Sequence, residues 1–518
     1  MMTNIGLMLK QRATVSTNVE AFVEPSTDTR ASWADLNRLA NQCANTLSEL
    51  GVKQGDRVAL LMHNSIEFTA LFYGAAKLGL VVVPLNTRLT ASELLFILSD
   101  SGTNILIFDP EFADTVANIK TSDEHPLTIG CYLQTTDDGL EGEEGLATKL
   151  SSASDGEPII SGGDEDNLFI MYTSGTTGSP KGVVHSHESI MWAGLCWAST
   201  VEVRYRDRIL LPLPMFHVAA LTAVLFCAVR GVTLVSMPDF DPSEFWKLLV
   251  EEKITIGASV PAILNFMRQV PEFEQLDAPD FRFFITGAAP MPETLTRLYN
   301  DKGMEVIQGY ALTESGGGGC MLMNEDALRK IGSAGKATMF TDLCIRDAHG
   351  KRSSVGTGEI LLKAPHMMKE YWNRPDATEE AYDDGWFCTG DIAEIDDEGF
   401  IFIKDRIKDM IISGGENIYP AEVENVILSH ESVLEVAVIG LPDEKWGETV
   451  CAILVKNDDV LDEQAIIEYC GEKLSRYKLP RKVVFAESIP RNPSGKILKR
   501  VLREQFTAEV VEKNPGAA

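Results

Sequence analysis

Apolar positions recur every three or four residues over 36–47, where Leu36, Leu39, Ala40, Cys43 and Leu47 share one face of a helix. Ser32 stands at its start with Asp35 three positions on, the pattern of a capping box, and Gly51 lies just past its end. A short apolar run over 57–62, a longer one over 66–77 and a short one over 80–84 follow. Their lengths predict strand, helix and strand, a βαβ unit that favours parallel pairing. The alternation returns as a helix over 243–253 and strands over 254–259, 282–286 and 304–307. The first four-fifths of the chain is therefore α/β, a large layered domain with parallel-rich sheets. No fixed-period repeat stands out.

Residues 209–229 carry no formal charge with His217 neutral. Pro212, Pro214 and His217 interrupt the run, and Arg208 and Arg230 bound it. It predicts a buried strand and helix, not a membrane span. Toward the C-terminus the pattern changes. Helices are predicted over 421–430, 462–474 and 495–506, with strands over 433–439, 450–455 and 482–486. This is a small α+β domain, placed at 408–518 against a large domain at 1–407.

Of 518 residues, 45% are hydrophobic and 24% charged, which excludes a disordered chain and supplies a sizeable core. The net charge of −30 argues against nucleic acid as a partner and against firm attachment to anionic lipid. Nine cysteines, with no C-x-x-C pair, suit reduced thiols in the cytoplasm. The first sixteen residues lack a signal-peptide core. Two local departures matter. Residues 137–166 hold ten acids and one lysine and predict a solvated connector. Residues 471–503 hold ten Lys/Arg and two Glu, a cationic segment in an acidic chain, suited either to a solvated face or to an anion site.

The most informative string follows the apolar run 168–172: Thr173-Ser-Gly-Thr-Thr-Gly-Ser-Pro-Lys181-Gly182. Glycines and hydroxyls ending in a lysine suit a cradle for phosphates. The spacing is not that of a Walker loop, since Gly182 stands where that loop needs Ser or Thr. Further on come Gln308-Gly-Tyr-Ala-Leu-Thr-Glu314, Trp386-Phe-Cys-Thr-Gly-Asp391, the run Asp405-Arg-Ile-Lys408 through Asn417, and Pro490-Arg-Asn-Pro-Ser-Gly-Lys496.

These five strings, in this order, resemble the motifs of the adenylate-forming superfamily, which includes acyl-CoA synthetases, luciferase-like enzymes and peptide-synthetase adenylation domains. Almost the whole chain resembles a mycobacterial fatty acyl-CoA synthetase of the very-long-chain type, notably over 210–221 and 283–292. The resemblance implies ATP, CoA and Mg²⁺, and two steps: a carboxylate displaces pyrophosphate from ATP, and CoA thiol then displaces AMP.

It also implies residue roles. Thr173, Ser174, Gly175, Thr176, Thr177 and Lys181 would hold the β- and γ-phosphates. Glu314 would hold Mg²⁺, and Thr313 would contact the α-phosphate. Gly287, Ala288, Ala289, Gln308, Gly309, Tyr310 and Ala311 would line the AMP site, with Tyr310 stacked on adenine. Asp391 would accept the ribose hydroxyls, with Arg406 beside it. Lys496 would bridge the carboxylate and the α-phosphate. Lys408 would be the hinge about which the small domain rotates. Gly414, Gly415 and Trp446 would meet CoA, and His217 would gate the acyl site from the thiol. His217, Val218, Gly287, Gly316 and Gly317 would line the acyl chain, the four glycines 316–319 leaving a wide channel or simply forming a turn.

Arg204, Arg206 and Arg208 could attract a fatty-acid headgroup or a lipid surface, giving at most a weak peripheral membrane contact. No oligomeric state is implied. The expected partners are fatty acid, ATP and CoA. Rival readings are an aryl-CoA ligase, an acyl-AMP ligase loading a carrier protein, and a non-catalytic nucleotide or lipid sensor.

Overall fold

The capping box expected at Ser32 is formed: its hydroxyl accepts from the Asp35 amide and the Asp35 carboxylate accepts from the Ser32 amide, starting the helix Trp33–Glu49. The computed structural model describes residues 3–122, 127, 129–138, 145–173, 180–275, 277–289, 291–413, 416–443, 445–457, 461–491 and 497–513. The chain divides into two compact units, one of residues 1–343 and 362–387, the other of 344–361 and 388–518.

Two sheets build the first unit. In one, Thr233–Ser236, Arg208–Leu211, Ile256–Ser259, Phe283–Thr286 and Glu305–Ala311 lie side by side, all parallel. In the other, Cys131–Gln134, Ile105–Phe108, Arg57–Leu61, Val81–Pro84 and Asn167–Thr173 are parallel, and Lys181–Ser186 and Glu370–Tyr371 extend it antiparallel. Apolar residues of both sheets and of Trp33–Glu49, Ile66–Lys77 and Val218–Arg230 form one core between the sheets. Separate cores cover the outer faces, under Pro242–Glu251 and Glu293–Asp301 on one sheet and Ala91–Ser101 on the other. The result is five alternating layers of helix and sheet, the arrangement that parallel strands need to bury both faces. The run 209–229 resolves into the strand Arg208–Leu211 and the helix Val218–Arg230. No helix among the described residues is long and apolar enough to cross a membrane.

The acidic connector is solvated over most of its described length, as expected, but part of it is anchored. Its stretch 154–157 is fixed to the helix Trp33–Glu49, because Asn41 donates to Asp155 O (2.8 Å) and Asn45 to Ser154 O (2.7 Å). Lys77, fully buried, donates to Glu157, Asn37 and Asn41. Composition predicted a solvated segment, but polar side chains on one helix face supply the donors that hold its carbonyls.

In the second unit, Val433–Asp443 and Gly447–Lys456 form a long hairpin, joined by Lys482–Phe485 in parallel. The helices Pro420–Leu428 and Glu463–Gly471 cover one face and Lys499–Lys513 the other. Much of the cationic segment is neutralised inside this unit: Lys478 pairs with Glu422, Arg491 with Glu435, Lys499 with Glu424, Arg500 with Glu504 and Arg503 with Asp409.

Candidate active site

Parallel pairing sets Thr286 opposite Gln308, so the loop Gly287-Ala288-Ala289 and residues 308–311 leave adjacent strand ends side by side. A Cβ on Gly287 would stand 3.0 Å from the Gly309 carbonyl oxygen, a tight contact that the bare glycine avoids. Ala288 is held at φ 66°, in the left-handed region that non-glycine residues rarely adopt and that clusters at ligand sites. Gln308 Oε1 accepts from the Met291 amide at 3.3 Å. Gly309 and Tyr310 are half-buried; Ala288, Ala289 and Ala311 are exposed.

Ser236, Ser259 and Thr286 end three strands of the same sheet, each at most 2% exposed. Their hydroxyls have no hydrogen-bond partner among the described residues. Buried unpaired hydroxyls ask for a water or a ligand, and the carboxyl ends of parallel strands are where open α/β sheets bind ligands.

After that strand end, Thr313–Ser315 forms a single tight turn with its three carbonyls held. Thr313 O accepts from His185 Nε2–H at 2.8 Å, Glu314 O from the Met368 amide at 2.6 Å and Ser315 O from His366 Nδ1–H at 2.8 Å. Burial lowers the pKa of both histidines, that of His185 to about 4, so both are neutral donors at pH 7. His366 Nε2 accepts from the Thr341 hydroxyl at 2.9 Å. With its backbone fixed, Glu314 presents a carboxylate whose Oε1 accepts from the Tyr371 hydroxyl at 2.8 Å. The Lys181 ammonium lies 4.8 Å from the centre of the Tyr371 ring. The strand Glu370–Tyr371 reaches this place by pairing with Lys181–Ser186, and Gly182 has no room for a Cβ, which would meet Ile170 at 2.7 Å.

The glycine run is packed. Thr222 donates to Gly316 O and Trp197 to Gly317 O, each at 2.9 Å, and a Cβ on Gly318 would meet the His366 ring at 2.6 Å. The volume the glycines give up beside the turn is thus occupied by His366, Trp197 and Thr222. Gly316 and Gly317 both take positive φ, which glycine adopts without strain. His217 stands at the N-cap position of the helix Val218–Arg230 without a side-chain capping hydrogen bond, its ring 4.7 Å from that of Phe216. Burial, helped by the nearby positive Arg88, lowers its pKa to about 4. Val218 is buried.

In the second unit, Asp391 faces Arg406 across an antiparallel pair, with Arg406 Nε 3.0 Å from its carboxylate. Asp391 is 4% exposed, so this ion pair holds it in one orientation. Lys408 sits in the turn Ile407–Asp409, and burial lowers its pKa. The Trp446 ring carries the Arg481 guanidinium at 4.4 Å and the Lys445 ammonium at 4.9 Å. Ser174, Gly175, Thr176, Thr177, Gly414, Gly415 and Lys496 lie outside the described residues. Of the three arginines expected to attract anions, Arg208 is committed to Glu20 and Glu252, and Arg204 to Glu202.

Sequence reasoning missed Tyr371, His185 and His366. Their partners lie 57, 128 and 51 residues away, so no local spacing marks them.

The AMP-binding enzyme family matches residues 9–372, and the AMP-binding enzyme C-terminal domain matches 422–496. Long-chain-fatty-acid–CoA ligase FadD13 of Mycobacterium tuberculosis is 62% identical over 509 residues, spanning 98% of this chain and 100% of that protein. The solved structure of Mycobacterium tuberculosis fatty acyl CoA synthetase matches with a TM-score of 0.81 at 61% identity, covering 98% of this chain and 99% of that one. o-Succinylbenzoate CoA synthetase from Bacillus subtilis, in complex with the acyl-adenylate intermediate, matches with a TM-score of 0.86 at 31% identity, covering 98% of each chain. The paired strand ends, the clamped Thr-Glu turn and the lysine beside it are thus those of a chain that belongs to the AMP-binding enzymes, the adenylate-forming family.

Proposed function

We propose that the protein is an ATP-dependent fatty acid–CoA ligase that forms AMP. The observation that carries this reading is the 62% identity to a long-chain-fatty-acid–CoA ligase over 98% of the chain. In the first step a carboxylate oxygen of the fatty acid attacks the α-phosphorus of ATP; the bond to the β-phosphate oxygen breaks and pyrophosphate leaves. In the second, the sulfur of CoA attacks the acyl carbon, the bond to the phosphate oxygen breaks, and AMP leaves. The thiol gives up its proton to solvent and is partly ionised near neutral pH, so no buried base is required.

Such transfers ask a protein mainly to position groups and neutralise charge. Lys181 and the hydroxyls of 173–177 hold the β- and γ-phosphates, and Thr313 the α-phosphate. Tyr310 stacks on adenine beside Gly287, Ala288 and Ala289. Asp391 and Arg406 serve the ribose, and Lys496 the two reacting anions. A domain of 408–518 rotates about Lys408 between steps and brings Gly414, Gly415 and Trp446 to CoA. His217, neutral at pH 7, gates the acyl site without adding charge. Val218, Gly316 and Gly317 border the acyl chain.

Glu314 fits Mg²⁺, a hard cation taking oxygen ligands and commonly bound through one or two carboxylates plus substrate phosphates. Its carboxylate is ordered by Tyr371, and no group of three or more candidate ligands occurs among the described residues, as suits an ion arriving with the nucleotide. When bound, the ion neutralises the phosphates and the leaving pyrophosphate.

Nine cysteines, none joined in a disulfide among the described residues, favour a reducing compartment, the cytoplasm. With Arg204 and Arg208 paired internally, lipid contact is at most weak and peripheral.

The likeness to o-succinylbenzoate CoA synthetase favours a second reading, an aryl-acid substrate. The test is pyrophosphate release from ATP with acids from short to very long and a benzoate control, with and without CoA. CoA-dependent turnover rising with chain length supports the fatty acyl reading, and preference for benzoate the aryl one. Pyrophosphate without CoA consumption points to a carrier-protein acceptor, and tight AMP binding without turnover to a sensor.

A further inference from the structure

Lys181 and Glu314, of opposite charge, meet the same aromatic residue, one over its ring and the other at its hydroxyl. Unlike charges brought close in a partly buried place pair with each other, and a lysine and a glutamate that pair are lost to a substrate. Neither residue has an ion-pair partner among the described residues. What each contacts is Tyr371: the ammonium lies 4.8 Å from the ring centre and the carboxylate accepts from the hydroxyl at 2.8 Å. Tyr371 is 8% exposed. Its backbone pairs with Val183, and its amide donates to the Thr378 hydroxyl at 2.9 Å. The π-face suits a cation and the phenol suits a carboxylate, so one side chain satisfies both charges without neutralising either.

We infer that Tyr371 is a positioning residue that holds Lys181 and Glu314 apart, each available to the nucleotide. The inference rests on the reading that Lys181 meets phosphate and Glu314 the metal. It explains why an aromatic residue with a hydroxyl stands where packing alone needs only an apolar one.

The test is calorimetric ATP binding in EDTA and in Mg²⁺, with thermal unfolding of each unliganded variant as a fold control. Lys181→Ala should weaken ATP in EDTA; if it does not, the phosphate reading falls and this inference with it. Tyr371→Leu removes the spacer and should weaken ATP in EDTA about tenfold, the size of a typical coupling between contacting groups. In a Glu314→Gln background the same substitution should cost less than about threefold, because no carboxylate remains to capture the lysine. A purely structural residue would show no such rescue. Tyr371→Phe keeps the ring under Lys181 but frees Glu314. It should bind ATP normally in EDTA and lose several-fold of the tightening that Mg²⁺ provides. A Tyr371→Leu loss that persists undiminished in the Glu314→Gln background, or a Tyr371→Phe protein identical to wild type in both conditions, overturns the inference while leaving the phosphate reading intact.

Discussion

His185 donates its Nε2–H to the carbonyl oxygen of Thr313 at 2.8 Å, across 128 residues of chain. His366 does the same for Ser315 from the other side, so the residue between them, Glu314, is held by two neutral imidazoles. His366→Ala removes one donor and the ring that fills the space beside Gly318. If Glu314 holds the ion, pyrophosphate release should fall about 10- to 100-fold, the usual cost of losing a group that orients a metal-holding residue. The loss should be larger at limiting than at saturating Mg²⁺; an unchanged Mg²⁺ dependence would remove the clamp from the account of Glu314.

The same burial makes the fold acid-sensitive. His185, His187 and His217 each have a pKa near 4 against an ordinary 6.5. Below pH 6.5 the unfolded chain takes up these protons while the folded one does not until about pH 4. Stability is therefore full above pH 6.5 and falls as pH drops toward 4, by about 3 kcal/mol per histidine over that range. Thermal unfolding followed from pH 7 to 4.5 should show a falling midpoint, with a shallower slope in His185→Asn.

Lys77 is fully buried and donates to Glu157, Asn37 and Asn41 at 2.5 to 2.8 Å. Lys77→Met leaves the Glu157 carboxylate without its cation and should destabilise the first unit by about 3 kcal/mol or more. Lys77→Met with Glu157→Leu should recover most of it, since an apolar pair needs no compensation. Chemical denaturation of the two variants measures the difference; equal destabilisation would show that packing at Lys77, and not the charge, is what counts.

Arg208 forms ion pairs with Glu20 and Glu252 and is mostly buried, and Arg204 binds Glu202. Arg206, at φ 71° with its guanidinium over the Tyr205 ring, is the remaining arginine of the three. Arg206→Glu should thus reduce sedimentation with anionic liposomes at low salt by no more than about threefold, as expected for one surface charge. A complete loss would mean that the ion pairs at Arg204 and Arg208 open at the lipid surface.

The layered α/β architecture was legible because continuous apolar strands, capped helices and short connections are local signals. Ser32 and Asp35 announce their helix within four residues. The adenylate-forming family was legible by resemblance, in unbroken strings. What stayed hidden depends on distant partners. Nothing near Tyr371 tells that it meets Glu314 and Lys181, and nothing in the acidic composition of 137–166 tells that Asn41, Asn45 and Lys77 fix part of it. The glycines 316–319 could be read as a wide channel or a turn, because the His366 ring that fills the place beside Gly318 is nearly fifty residues further along the chain.

If Lys496 and Lys408 have the proposed roles, their variants separate the two steps. Lys496 follows Ser-Gly in the C-terminal motif, and Lys408 lies in a turn whose neighbour Asp409 is bound by Arg503 at 2.7 Å. If Lys496 brings the carboxylate to the α-phosphate, Lys496→Ala should lose adenylation about 100- to 1,000-fold, as for removal of a preorganised charge contact. It should still form thioester from supplied acyl-adenylate. Lys408→Pro fixes φ at the proposed hinge and should do the reverse, releasing pyrophosphate but making little thioester. Equal loss of both steps in Lys496→Ala would undo the assignment of rotation, because a lysine serving one orientation of the domain has no part in the other.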